Sequence, residues 1–161
     1  MRLEAATIED VTALTALINL AYRKEDFFKI GDRTDEDDVR AHFATGWFIA
    51  ARDDDGRLAG SVYVEQRGDA GYFGMLSVDP TLQNAGLGKR LVAEAEAQSR
   101  ARGCTAMELE VVDLREELIP WYGRLGYRET GRAPFVPGKS RIPCEFIIMR
   151  RPLGDAEGAP S

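Results

Sequence analysis

The chain has few of the residues from which metal sites, disulfide frameworks and histidine-dependent triads are built. Its 161 residues include only two cysteines, Cys104 and Cys144, and one histidine, His42. Two widely separated cysteines provide neither a disulfide framework nor metal-site spacing, and one histidine argues against a Ser–His–Asp triad. We therefore expect no bound metal, structural buried thiols at both cysteines, and a packing or surface role for His42.

Long apolar runs and an excess of positive charge are also absent. No segment approaches the roughly 20 apolar residues that cross a membrane, and the N-terminal residues MRLEAATIED lack the apolar region of a signal peptide. We expect a cytoplasmic protein with no membrane partner. The formal net charge of −6 argues against nucleic acid as the main partner, because phosphate binding needs clustered cations. Through electrostatic steering, the same charge favours a cationic or neutral co-substrate.

The composition is that of one globular domain, with 44% hydrophobic and 30% charged residues. A chain of this length buries a substantial core. We place the domain at residues 1–153. The polar segment GDAEGAPS, residues 154–161, is punctuated by glycine and proline, and we expect it to be a disordered tail.

Hydrophobic periodicity predicts an alternation of helices and strands. Helices are predicted at residues 8–23, after a cap at Thr34, at 86–102, and at 114–126 with a bend at Pro120. Strands are predicted on both sides of an Asp55–Gly56 turn, in GYFGMLSV, in TAMELEVV, in YRETG and in CEFIIMRR. The order αα-ββ-β-α-β-α-β-β indicates an α/β fold. Its mixed sheet has helices on both faces and is parallel only where a helix intervenes.

A glycine-containing turn, DPTLQNAGLGKRLV, joins the predicted strand GYFGMLSV to the helix at 86–102. Helices usually begin with acidic residues, because the N-terminal end of the helix dipole is positive, yet Lys89 and Arg90 stand here. A bound phosphate or pyrophosphate resolves this conflict, since glycines let an anion approach the open amides of a helix start. The alternative is a simple tight turn in which glycine permits close packing.

Two phosphate-binding motifs are excluded at this turn. A P-loop needs Ser or Thr after Gly88–Lys89, where Arg90 stands, and the G-x-G-x-x-G dinucleotide fingerprint is not completed. What remains is Q-x-x-G-x-G, from Gln83 to Gly88, directly after a strand that ends in VDP.

This segment resembles the acetyl-CoA-binding signature of the GNAT superfamily of N-acetyltransferases, in the residues MLSVDPTLQNAGLGKRLVAEAE. The segment ELEVVDLREELIPWYGRLGYRETG is similar to the second signature of the superfamily, and AATIEDVTALTALINLAY to its first strand and helix. The resemblance covers residues 1–153 or so. It implies the GNAT fold, acetyl-CoA as co-substrate, and acetyl transfer to a primary amine by direct attack in a ternary complex. A non-catalytic acyl-CoA-sensing domain is the alternative, and an NTP-binding regulatory domain is a third reading.

The resemblance assigns the coenzyme to main-chain groups on both sides of the glycine turn. The strand before the turn splays from its neighbour in such proteins, and its free groups bind the pantetheine arm and the acetyl carbonyl. The pyrophosphate is bound by the turn itself, with phosphate contact expected for at least one of the two cationic side chains. The residues concerned are Leu76, Ser77, Val78, Gln83, Asn84, Ala85, Gly86, Leu87, Gly88, Lys89 and Arg90.

The resemblance also implies the catalytic groups. Glu110 matches the proton acceptor of ribosomal-protein alanine acetyltransferases, and Glu108 on the same strand face is the second candidate. Tyr122 matches the proton donor to the departing thiolate, a role that suits a phenol with a pKa near 10. A solvated strand face and a core tyrosine are the alternatives. Arg115 stands where the family often has Asn, so that contact is lost or replaced by Arg reaching a carbonyl or phosphate.

Acceptor recognition is expected from the segments KEDFFKIGDR and RAPFVPGKSRIP. Phe27 and Phe28, next to Glu25 and Asp26, suit an amine with an apolar body, and Glu108 is a further candidate for acceptor binding. The alternative is that both phenylalanines anchor the loop to the core. The acceptor stays open between a small-molecule amine and a peptide or protein amine. The oligomeric state stays open, with a homodimer as one candidate because dimers are common among similar proteins.

Overall fold

The computed structural model describes residues 1–83 and 85–154, which contain seven strands and four helices. The strands are β1 (Arg2–Ala5), β2 (Trp47–Arg52), β3 (Leu58–Arg67), β4 (Ala70–Val78), β5 (Ala106–Val112), β6 (Arg128–Pro134) and β7 (Glu145–Pro152). The helices are α1 (Val11–Ala21), α2 (Glu36–Thr45), α3 (Leu87–Ala101) and α4 (Leu118–Arg124). Short 3₁₀ turns span Ile8–Asp10, Tyr22–Glu25 and Pro80–Leu82. Apart from Gly154, the predicted tail lies outside the described residues.

All seven strands form one sheet in the order β1-β2-β3-β4-β5-β7-β6. Strands β4 and β5 are parallel and are joined by α3, whereas every other neighbouring pair is antiparallel. A parallel pair needs a crossover connection, and α3 provides it. The predicted mixed α/β sheet is therefore confirmed. No helix in the described ranges is long and apolar enough to cross a membrane.

Alternating strand residues build two cores on opposite faces of the sheet. Phe48 and Tyr63 pack with α1 and α2 on one face. Their strand neighbours Ile49 and Val62 pack with α3 on the other. Because successive side chains of a strand point to opposite faces, this division puts helices on both sides of the sheet, as the sequence predicts. Burying both faces is the largest favourable contribution to the stability of such a sheet.

The first strand is missing from the element order that hydrophobic spacing alone predicts. Strand β1 has only four residues, carries charges at Arg2 and Glu4, and pairs with β2 alone at the edge of the sheet. A short, half-exposed edge strand contributes few core residues and therefore leaves little periodic signal. The resemblance, by contrast, included a strand at this place.

Two helix boundaries differ from the predictions. Helix α2 begins at Glu36 with Asp35 as its cap, not Thr34, because the Asp35 carboxylate accepts the Asp38 N–H at 2.7 Å. Helix α4 covers only Leu118–Arg124. Pro120 is its third residue, where no intrahelical donor is needed, so the proline lies in the first turn of the helix and neither bends nor interrupts it.

Strands β4 and β5 separate after three residue pairs. Ala70–Tyr72 pair with Ala106–Glu108, and beyond this point the two strands have no pairing. A bulge in β4 accompanies the separation, since Met75 and Leu76 together face one residue of β3. Met75 has φ of 50°, in the left-handed region. The result is a wedge between the later halves of β4 and β5, which is the splay that the resemblance implied.

Candidate active site

A cavity of about 1250 Å³ opens at this wedge. One wall comes from β4 and the glycine turn, and the opposite wall from β5 and α4. The segment between α1 and α2 closes one end, together with residues between β6 and β7. Of the residues predicted for the site, the cavity is lined by Leu76, Val78, Gln83, Gly86, Leu87, Gly88, Lys89, Glu110, Arg115 and Tyr122.

The glycine turn presents open amides to the cavity. Gly86 caps α3 with φ of 79°, a conformation that glycine adopts without strain, and a side chain there would project into open space. The first backbone bond of the helix runs from the Arg90 N–H to the Gly86 carbonyl, at 3.1 Å. The N–H groups of Leu87, Gly88 and Lys89 precede it and have no intrahelical partner. This end of the cavity therefore has the chemistry of an anion site.

The main chain of β4 lines the cavity beside this turn. From Phe73 onward the strand has no partner on the side of β5, so its outward N–H and C=O groups are available to a ligand. Leu76 and Val78 line the cavity. The Ser77 side chain is buried on the other side and donates to the Met75 carbonyl at 3.0 Å.

Tyr122 lies in α4 and is 7% exposed. Its ring packs between Trp121, at 4.9 Å between centroids, and Phe73, at 6.0 Å. Burial raises the pKa of Tyr122 above the usual value of a phenol. The side chain is therefore protonated at neutral pH and can donate to an atom in the cavity.

Glu110 and Glu108 share one face of β5 but have different surroundings. Glu110 lines the cavity next to Tyr72, and within the described residues its carboxylate has no ion pair. Burial, followed by the charge of Glu110, raises the pKa of Tyr72 to about 12. Glu108 does not line the cavity and pairs with Arg150 at 2.5 Å. Of these two carboxylates, Glu110 is the one that lines the cavity and has no ion-pair partner within the described residues.

Arg115 lines the cavity and forms a buried ion pair with Glu25. Its Nη1 lies 3.1 Å from Glu25 Oε2, and its Nε lies 3.3 Å from Glu117 Oε2. The guanidinium thus reaches a carboxylate, where the sequence suggested a carbonyl or phosphate. Burial raises the pKa of Glu25, against the opposing effect of Arg115. The pair joins the 3₁₀ turn after α1 to the connection between β5 and α4.

Several predicted residues lie away from the cavity lining. Phe28 is fully buried against Phe27 and Phe135, and the Phe27 side chain is 55% exposed on the surface. Ala85 is exposed outside the lining, and the Arg90 guanidinium turns to the Met1 carbonyl at 3.3 Å. Phe28 is buried as the alternative predicts, in which this ring anchors the loop to the core. Asn84 lies outside the described residues.

Other cavity residues were not identified from the sequence. Tyr22, Arg33 and Tyr72 line the cavity, and so does Trp121, whose ring would lie 3.7 Å from a Cβ built at Gly88 in the glycine turn. Tyr72 lies in an apolar run that predicts only a buried strand, and Tyr22 ends a helix with ordinary amphipathic spacing. Strict alternation would put Tyr72 and Met75 on opposite faces, and the bulge in β4 brings both to the same face, so no local signal identified Tyr72.

The cysteines and the histidine are not part of the cavity. Within residues 1–83 and 85–154, no group of three or more His, Cys, Asp or Glu side chains could hold a metal ion. Both thiols are free, with Cys104 buried and Cys144 partly exposed. Burial raises the pKa of Cys104. His42 packs against Tyr63 at 4.6 Å between ring centroids, with its Nδ1 2.7 Å from the Asp38 carbonyl.

Comparison with known proteins agrees with this geometry. The structure is similar to the ribosomal-protein-S18-alanine N-acetyltransferase from Escherichia coli, with a TM-score of 0.77, 19% identity, and coverage of 99% of this chain and 98% of that chain. A phosphinothricin acetyltransferase from Sinorhizobium meliloti in complex with AcCoA has a TM-score of 0.74 and 19% identity, over 99% of this chain and 91% of that one. These likenesses show the fold.

The sequence is 28% identical over 152 residues to a mycothiol acetyltransferase from Propionibacterium freudenreichii subsp. shermanii, covering 86% of this chain. The chain spans about half of the length of that relative, 48%. The model of the Acetyltransferase (GNAT) family matches residues 12–127, which is most of the domain. The chain belongs to the GNAT acetyltransferase family.

Proposed function

We propose that the protein transfers the acetyl group of acetyl-CoA to a primary amine by direct attack in a ternary complex. The observation that carries this proposal is a single cavity between splayed strands. It has open helix amides at one end, and Glu110 and Tyr122 both face it. Coenzyme and acceptor can therefore meet between a proton acceptor and a proton donor.

The residues present fit acetyl-CoA. Open amides at Leu87, Gly88 and Lys89 suit a pyrophosphate, and Lys89 adds a cation on the cavity wall. The unpaired edge of β4 suits an amide-rich pantetheine arm, because such an arm can bind main-chain groups as another strand does. When bound there, acetyl-CoA supplies a thioester carbonyl carbon for the attacking amine and a thiolate as the leaving group.

The side chains have distinct parts in this reaction. Glu110 takes the proton that the amine must lose, directly or through a water molecule, because most primary amines are protonated at neutral pH. Free N–H groups of β4 stabilise the negative charge that develops on the carbonyl oxygen. Tyr122 donates a proton toward sulfur as the C–S bond breaks, and it recovers that proton from solvent.

The test is coenzyme A release measured with a thiol-reactive dye, over a panel of small amines and peptides, with mass spectrometry of the acetylated product. Amine-dependent release is expected. The acyl-CoA-sensing alternative predicts tight coenzyme binding by calorimetry and no release with any amine of the panel. The retained pair of Glu110 and Tyr122 favours the enzyme. The acceptor class, a homodimer and a cytoplasmic location stay predictions.

A further inference from the structure

The acceptor end of the cavity, by which we mean the end lined by Tyr22, Arg33 and Tyr72, contains more charged groups than a neutral amine requires. Most of them have partners within the described residues. Glu25 pairs with Arg115, the Lys29 ammonium is bound by the Gly31 carbonyl, and Asp35 caps α2. Asp38 accepts the Thr34 hydroxyl at 2.6 Å. These groups form the wall of the cavity and are not free to bind a ligand's charge.

Arg33 is different. It lines the cavity and is partly buried, and among residues 1–83 and 85–154 it forms no ion pair. Its guanidinium carbon lies 5.1 Å from the centre of the Tyr22 ring. A guanidinium that lies against an aromatic face is held in position, and it keeps N–H donors at its edges for a planar anion. Arg33 therefore presents to the acceptor a positioned cation that has no salt-bridge partner among residues 1–83 and 85–154, although its charge also acts on Glu25.

Glu110 lines the same cavity as Arg33 and also lacks an ion pair within the described part of the chain. Tyr72 connects the two, because it lies near both: the charge of Glu110 raises its pKa and that of Arg33 lowers it. An acceptor that carries both an amine and an anion can satisfy both groups at once. An amine without an anionic group leaves the partly buried guanidinium of Arg33 without an ion-pair partner, which is unfavourable.

Resting on the proposed function, we infer that the acceptor is an amine that also carries an anionic group, a carboxylate or a phosphate, and that Arg33 binds this group. The planar guanidinium fork matches both anions bidentately. Two further charged residues line this end, Asp32 and Lys139, and both are exposed. Their charges are screened by solvent and contribute less to selection than the partly buried Arg33.

The test compares matched acceptors that differ only in the anion: amino acids against their amides, and amino-alcohol phosphates against the free amino alcohols. Binding to the protein saturated with coenzyme A is measured by calorimetry, which does not depend on turnover. The anionic member of a pair is expected to bind on the order of ten- to a hundredfold more tightly. The carboxylate and phosphate arms identify which anion is preferred.

In Arg33→Gln that preference is expected to fall to about threefold or less, with little change for the neutral acceptors. Arg33→Lys should keep part of it, because charge remains but the bidentate geometry is lost. Arg23→Gln is the matched control, since Arg23 lies in the same segment but does not line the cavity. Its preference should equal that of the wild type.

Equal affinity for the two members of every pair in the wild type overturns the inference, as does a preference that survives in Arg33→Gln and disappears in Lys139→Gln. Failure of the proposed function gives a different result. In that case no amine releases coenzyme A, whatever the binding preference. A neutral amine that binds as tightly as its anionic partner and is acetylated with the same kcat/KM refutes the inference and leaves the acetyltransferase proposal intact.

Discussion

The buried ion pair between Arg115 and Glu25 provides a test of how burial, not distance, sets the strength of a charge interaction. The two side chains are 10% and 7% exposed, and the joining atoms lie 3.1 Å apart although the residues are 90 positions apart in the chain. Arg115→Gln leaves the Glu25 carboxylate buried without its main partner. Removing one member of a buried pair costs about 3–5 kcal/mol, and we expect this loss in the free energy of unfolding at pH 7.5.

The other two variants of this double-mutant cycle, Glu25→Gln and the double variant, should lose less stability than Arg115→Gln. In Glu25→Gln the Arg115 guanidinium can still contact Glu117, whose side chain is 63% exposed, so a loss of about 1–2 kcal/mol is expected. The double variant Glu25→Gln/Arg115→Gln has no charge left at either of these two buried positions and should be more stable than Arg115→Gln alone. The coupling between the two sites should therefore exceed about 1 kcal/mol.

The pH dependence has a defined sign. Burial raises the pKa of Glu25 in the folded protein, and losing Arg115 raises it further. A folded-state pKa above the unfolded value, about 4.3 for Glu, means that the carboxyl stabilises the fold when protonated. This contribution is lost as the pH rises through the folded pKa. The deficit of Arg115→Gln should therefore be largest at pH 7.5 and shrink toward pH 5.

Urea unfolding followed by circular dichroism measures all four proteins at pH 7.5 and pH 5. Arg132→Gln is the control, because Arg132 lies 2.8 Å from Glu145 but both side chains are about 45% exposed. An exposed pair contributes about 0–1 kcal/mol, so this variant should stay close to the wild type at both pH values. An Arg115→Gln protein within about 1 kcal/mol of the wild type at pH 7.5, or a deficit that does not depend on pH, refutes the reasoning.

Three further predictions concern the cavity. Gly88→Ala should stabilise the protein by up to about 1 kcal/mol in urea unfolding, because alanine favours a helix and the new methyl would lie 3.7 Å from Trp121 without a clash. The same methyl should weaken coenzyme A binding in calorimetry, because it crowds the open amides. Tyr122→Phe should lower kcat by roughly 100-fold or less, since the thiolate is already a fair leaving group; an unchanged kcat excludes the donor role. Glu110→Gln should lower turnover by about 100-fold, with the largest loss below neutral pH, while coenzyme binding is unchanged. The control variant Glu108→Gln should have nearly wild-type turnover. A wild-type pH–rate profile in Glu110→Gln would assign the base to another group.

Much of the fold could be predicted because its determinants are local. The alternation of Met107, Leu109 and Val111 against Glu108 and Glu110 predicts the two faces of β5, and the structure has the first three in the core. The apolar run of β4 predicts a central strand buried on both faces. The glycines after β4 predict a turn with open amides. Each inference depends on residues that are close together in the sequence, so no knowledge of tertiary contacts is needed.

The rest of the site depends on residues that are distant in sequence. Adjacent phenylalanines give no sign of which ring is buried, and Phe28 is buried because Phe135 comes to lie against it. Arg115 could not be matched to Glu25, because the pairing exists only after β5 and the segment after α1 converge. The net charge of −6 favoured a cationic or neutral co-substrate, but net charge is an average that does not reveal one partly buried cation such as Arg33.

This difference has a consequence for how the two ends of the cavity can change. In the proposed function, the coenzyme would bind main-chain groups of β4 and of the start of α3, which require only a splayed strand and an open helix start. The acceptor would bind side chains from loops, where one substitution at Arg33 alters the charge presented to a ligand without disturbing the sheet. Loops on a rigid scaffold vary more easily than the elements that they connect. We therefore expect acceptor choice to depend on a few loop residues, while the coenzyme site is maintained by the fold itself.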